Sequence, residues 1–309
     1  MPLLPLLLIL FACSPSRGTA GEAPKSEAPS GFWEHWGDGK AEIATYQLTQ
    51  PRYGQLRKGE AVLIVVTETF TKNQRVKSDG GHKDEFPVIK LNDSRHFQTG
   101  IYDYRVLSST FLPLDGSLPW GIPTKLTLSV QEWCGQVWDE WIFDPGRFRR
   151  SLHSYFDGEG DRLETGKLPV DSVMIDALPI AVRGLVGEGL KSGESRTIRV
   201  GRRLLDGRFE HKQDIEFVEG TLERGAQAVQ VVVPAGEFAA TRWRLSLGVT
   251  EWMEWDVEVG GASRLLAWRG EDGEEGMLIA SSRQEYWKLN HEGDERVRAE
   301  LGLPIRVLP

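Results

Sequence analysis

Two cysteines in 309 residues, Cys13 and Cys134, leave the chain without a disulfide framework. The apolar run at 1–12, MPLLPLLLILFA, is interrupted by Pro2 and Pro5 and falls short of the roughly 20 residues a membrane-crossing helix needs. Basic residues are in deficit, 37 Lys+Arg against 45 Asp+Glu for a net charge of −8. No nucleic-acid partner is expected, because such binding requires a clustered basic face to replace phosphate counterions. Also missing are a GxxxxGK[ST] phosphate loop, a GxGxxG turn behind a strand, HExxH, GxSxG and paired CxxC, so no cofactor is expected. What remains is a chain with 40% apolar and 27% charged residues, the balance of a folded globular protein.

The 1–12 run reads as an export signal. It ends in Leu10-Phe11-Ala12-Cys13, which resembles the lipobox of bacterial lipoproteins, although no basic residue precedes it. The resemblance implies that Cys13 is lipidated and holds the protein on a membrane through its acyl chains. Ser14, following the cysteine, is similar to the signal that sends enteric lipoproteins to the outer membrane, facing the periplasm. Residues 13–31 are small, proline-containing and aperiodic, and read as a tether.

Beyond Gly31 the pattern is alternation with period two, the mark of half-buried antiparallel strands. Leu126, Leu128 and Val130 share one face of their segment, and Val229, Val231 and Val233 share another. Ile215 with Phe217, Trp243 with Leu245 and Leu247, and Met253 with Trp255, Val257 and Val259 repeat the pattern. Short connections such as DGEGD at 157–161 and PAGE at 234–237 carry turn chemistry. The spacing predicts a mainly β fold, a curved antiparallel sheet or half-barrel, with one central helix over 176–184 and a short helix near 294–301. Asp176 is the expected cap of the central helix, with Pro179 in its first turn. One large β-rich domain is predicted over 32–290, followed by a C-terminal extension at 291–309.

The residues Asp176, Leu178 and Arg183, the stretch Leu190-Lys191-x-Gly193, and the unit Val233-Pro234-Ala235-Gly236-Glu237-Phe238 carry a further likeness. They resemble a domain-of-unknown-function family of exported bacterial proteins, best over 176–247. Lys58-Gly59-Glu60-Ala61 before VLIVVT is similar to the first strand of that family. TYQLTQPRYG, HFQTGIYDY, QEWCGQ and LHSYFDGEGD resemble a group of uncharacterised envelope lipoproteins, some loosely labelled septum-formation inhibitors of the Maf type. Maf proteins are α/β nucleotide pyrophosphatases with an early Ser-x-Arg motif, and this chain has neither the motif nor the fold pattern. The resemblance implies a curved β sheet with a helix and no established activity.

Three sets of residues have chemistry in reach. Asp157, Glu159 and Asp161 alternate like the start of a calcium loop, but Arg162 stands where the loop glycine belongs and Leu168 where the last carboxylate belongs. A solvated hairpin turn is therefore expected, with no metal. His96, Glu132 and His153 would make an acid–base or metal cluster if the sheet brought them together, and Cys134 would be a nucleophile with His153 as its base. A lone cysteine in an apolar strand is more commonly a small core residue. Trp243, Met253 and Trp255 are expected to line a concave apolar surface that the central helix covers only in part, leaving room for a lipid or other apolar ligand. The expected function is a membrane-anchored envelope lipoprotein with a non-catalytic binding, transport or assembly role. The alternatives are a hydrolase or metal-dependent enzyme built on the His/Glu/Cys set, and a scaffold for an envelope protein partner.

Overall fold

The computed structural model describes residues 24–209 and 216–305. The expected signal at 1–12, Cys13, the start of the expected tether and Ile215 lie outside the described residues. A short strand β1 (Lys25–Glu27) and helix α1 (Phe32–Trp36) precede a long antiparallel meander. Its strands are β2 (Ala41–Arg52), β3 (Gln55–Thr71), β4 (Glu85–Thr99) and β5 (Tyr102–Pro113), then, after β6 (Asp115–Pro119), β7 (Lys125–Glu132), β8 (Gly135–Asp144), β9 (Arg147–Ser154) and β10 (Arg162–Lys167). The chain then crosses to the far side through β11 (Ser172–Met174), a 3₁₀ turn at Ile175–Ala177 and helix α2 (Leu178–Ala181).

A second meander returns through β12 (Ser195–Gly201), helix α3 (Leu204–Phe209), β13 (Phe217–Arg224), β14 (Val229–Val233) and β15 (Gly236–Leu247). It ends with β16 (Glu251–Glu258), β17 (Leu265–Gly270) and β18 (Glu275–Gln284), followed by a 3₁₀ turn at Tyr286–Lys288 and helix α4 (Arg296–Glu300).

Strands β18 and β2 pair in the middle, so the two meanders form one 16-stranded sheet that runs from β10 at one edge to β11 at the other and does not close. All its ladders are antiparallel except β11 with β12. The sheet is curved enough that the rings of Phe148 of β9 and Phe217 of β13, from opposite ends of the strand order, meet at 6.0 Å with their planes tilted by 42°. The β10 edge carries charged residues, Arg162, Glu164 and Lys167, which discourages further strand pairing.

The alternating faces behave as the sequence predicts: Leu126, Leu128, Val130, Trp243, Leu245, Leu247, Trp255 and Val257 are buried on the concave side. The exception is Val259, which is exposed beyond the end of β16. The central helix is shorter than expected. Only 178–181 is α-helical, with Pro179 in its first turn and Gly184 taking a positive φ after it. Asp176 does not cap it; its carboxylate instead accepts from the Leu204 N–H at 3.2 Å and holds the start of α3. A mixed path of strand, 3₁₀ turn, helix and coil covers more length per residue than a helix does. This lets Val173, Ile175, Leu178, Ile180, Val186 and Leu190 all reach into the interior as one plug.

Arg183 anchors the plug through a buried pair with Glu42 at 2.8 Å and a bond from its Nε to the Ser263 carbonyl at 2.7 Å. Gly187 donates to the Glu27 carbonyl with a φ of 51°, and a Cβ there would run into the Lys25 carbonyl. The end of the predicted tether is thus part of the fold: Ser26 is fully buried and β1 pairs with β6. At the other end α4 docks on the outer face, with Leu301 and Leu303 buried against Ile43.

Candidate functional site

The sheet does not gather the predicted catalytic set. His96 on β4 and His153 on β9 are separated by β5, β7 and β8, four strand spacings of about 4.8 Å or roughly 19 Å. His96 lies between Glu60 at 3.8 Å and Asp103 at 3.5 Å, while His153 bonds Asp161 at 2.9 Å. Glu132, at the end of β7, accepts from the Cys134 N–H at 2.8 Å. Cys134 is exposed in the β7–β8 turn and not a core residue, because a two-residue hairpin needs that position outside the ladder. Its thiol is pushed up by the hydrogen bond and charge of Glu132, away from the thiolate a nucleophile requires. The three acids of the 157–161 turn also diverge: Glu159 turns inward onto Ser154 at 2.6 Å and onto Arg208, whereas Asp161 faces His153. Among the described residues no group of acids, histidines and cysteines is arranged to hold a metal.

Trp243 and Trp255 are 3% and 2% exposed, packed against the plug. The cavity that remains beside Trp255 and Met253 is about 40 Å³. That volume suits one or a few water molecules and not an acyl chain. The plug fills the space that a nine-residue helix would have left.

The interior holds instead a polar network that no sequence motif announces. Glu274, just before β18, is 1% exposed and accepts from Arg203 at 2.7 and 2.6 Å, Trp268 Nε1 at 2.8 Å and Gln50 at 3.3 Å. Arg95 lies 3.0 Å from Glu274 and 2.8 Å from Asp93 and donates to Gln50 at 2.9 Å. Arg203 also grips Asp206. Burial would push the Glu274 carboxyl up, but the Arg203 and Arg95 guanidiniums outweigh it and hold the group far below the usual carboxylate range.

Asp176, behind Arg203, goes the other way. Burial pushes it up to about 7, with Arg203 opposing and Asp206 adding repulsion. A carboxyl raised in the folded state stabilises fully below its unfolded value near pH 4, and that contribution is lost as pH rises through 7. Asp176→Asn is therefore expected to raise the unfolding free energy at pH 8 by up to about 4 kcal/mol and to change it little at pH 4. Urea titrations at the two pH values check this; equal effects at both would contradict it.

Among the described residues at least three open concavities are large enough for a ligand; one, about 360 Å³, lies beside His96 and Arg105, and two others bear on a binding role. One, about 250 Å³, lies at the unclosed seam of the sheet between β7–β9 and the β12–α3 segment. Its ionic groups are locked in pairs, Arg150 with Asp139 at 2.7 Å and Arg208 with Glu159. The other, about 820 Å³, runs across the outer face of β3, β4, β5, β7 and β8. Trp33 of α1, Trp138 of β8 and Trp287 of the 3₁₀ turn after β18 line it, at 46%, 43% and 44% exposure. On its floor Lys90 bonds Glu68 at 3.1 Å and Lys125 bonds Glu140 at 2.6 Å, with Ser109 and Thr127 between them. Sequence reading missed this groove, since its walls come from segments far apart in the chain; the only local signal was an aromatic residue standing on the polar side of a strand or turn. No family model matches this chain, and neither a curated protein nor a solved structure does.

Proposed function

We propose that this is a lipid-anchored protein of the bacterial cell envelope, held at Cys13 and facing the periplasm from the outer membrane, whose β domain binds a ligand without transforming it. The observation that carries the binding role is the 820 Å³ outer groove with three half-exposed tryptophans, on a domain whose interior is closed by its own plug. Monomeric surfaces seldom leave large rings uncovered together without a binding purpose. The Leu10-Phe11-Ala12-Cys13 sequence supports the anchor. No helix among the described residues is long and apolar enough to cross a membrane, so the acyl chains would carry the attachment. A hydrolytic role through His96, Glu132, Cys134 and His153 has no such support, because His96 and His153 lie four strand spacings apart on separate acidic partners and Glu132 is turned onto the Cys134 backbone N–H.

Cys13→Ser is expected to move the protein from the membrane pellet to the soluble fraction after cell disruption. Persistence in the pellet after a high-salt wash, or a parent protein that is soluble from the start, would refute the lipid anchor.

A further inference from the structure

We infer that the outer groove is a binding site for an uncharged saccharide chain. This rests on the groove being the binding site of the reading above and is independent of the lipid anchor. Pyranose rings present one face of C–H groups, which pack on the flat face of an aromatic side chain, and a rim of hydroxyls, which need donors and acceptors in the plane around it. The groove supplies both. Trp33, Trp138 and Trp287 offer partly uncovered rings from three different elements, and Glu68, Lys90, Lys125, Ser109 and Thr127 offer polar atoms on the floor between them. Indole rings bring large contact area with few rotatable bonds, so they lose little entropy when a ligand orders them.

The charges on the page select the class of ligand. Three of the four cations lining the groove are paired with carboxylates: Arg75 with Asp144 at 2.9 Å, Lys90 with Glu68 and Lys125 with Glu140. A paired lysine is a poor counter-charge for a phosphate or carboxylate ligand but remains a hydrogen-bond donor to a hydroxyl. An acyl chain is disfavoured for the opposite reason, because it would strip water from two ion pairs and gain nothing polar in return. An extended peptide has no backbone to pair with, since every strand under the groove has a neighbour on both sides.

The test is titration of the full-length protein, purified in a detergent without a sugar headgroup, with cellohexaose, chitohexaose and mannohexaose, read by tryptophan fluorescence and calorimetry. Saturable binding of at least one is expected, weakened about fivefold to tenfold by Trp33→Ala, Trp138→Ala or Trp287→Ala. Trp133→Ala, at an exposed tryptophan outside the groove lining, is expected to leave binding unchanged and serves as the control. Far-UV circular dichroism of each variant establishes that it is folded. Absence of binding by all three hexasaccharides up to about 10 mM, a concentration above any useful affinity, would overturn the proposal. So would binding that the three groove variants leave intact. Stoichiometric co-purification of an envelope protein that Trp287→Ala releases, with no saccharide binding, would give the groove to a protein partner and also overturn it. Saccharide binding by a protein whose Cys13→Ser form still pellets would support the groove assignment while refuting the anchor.

Discussion

Glu274→Ala is expected to lower the free energy of unfolding by about 3–5 kcal/mol, the cost of leaving buried charge without its partner. Glu274 is the acceptor at the centre of the interior network, and its loss leaves Arg203 with Asp206 alone, Arg95 with Asp93 and Gln50, and the Trp268 N–H without its acceptor. Water cannot replace it readily, since the nearest cavity is about 40 Å³ and already lined by Arg95 and Arg203. Glu274→Gln keeps an acceptor for Trp268 while losing the charge, and should fall between the parent and the alanine variant. Urea unfolding followed by circular dichroism measures both. A loss below about 1 kcal/mol for Glu274→Ala, the range of an exposed ion pair, would mean that the network is solvated and not part of a packed interior.

Trp255→Ala is expected to cost about 3–5 kcal/mol, as large-to-small changes do when a core cannot collapse around the gap. Trp255 is among the largest fully buried side chains and sits in register between Trp243 on β15 and Trp268 on β17. The ladders fix the three backbones, and the plug on the other side is held by Arg183 and Glu42, so neither wall can close in. Trp255→Phe should cost markedly less. Equilibrium unfolding decides the matter. A loss under about 1 kcal/mol from the alanine variant would mean a loosely filled interior with room for an apolar guest.

Both expectations depend on the course of the chain between its two meanders. The first runs outward from β2 to the β10 edge, and the second starts at the opposite edge and returns to β18. A sheet curved enough to bring Phe148 near Phe217 leaves the intervening segment a short path through its own hollow. An apolar sequence from Val173 to Leu190 can take that path without stranding polar groups, and Arg183 and Asp176 are the two charged side chains it carries in.

The strands were legible from the amino acids because a half-buried strand writes its period directly into the order of residues. Leu126-x-Leu128-x-Val130 and Trp243-x-Leu245-x-Leu247 can bury one face only as extended chain, whatever lies opposite. The class, mainly β in a curved and open sheet, followed from those local periods and short turns. Tertiary structure alone decided which strands are neighbours. That placement put three strands between His96 and His153, brought Arg95, Arg203 and Glu274 together from positions scattered over 180 residues, and set Trp33, Trp138 and Trp287 around one groove. Pairing of distant strands depends on the complementarity of whole faces and on where the plug must run, and no window of neighbouring residues carries that information.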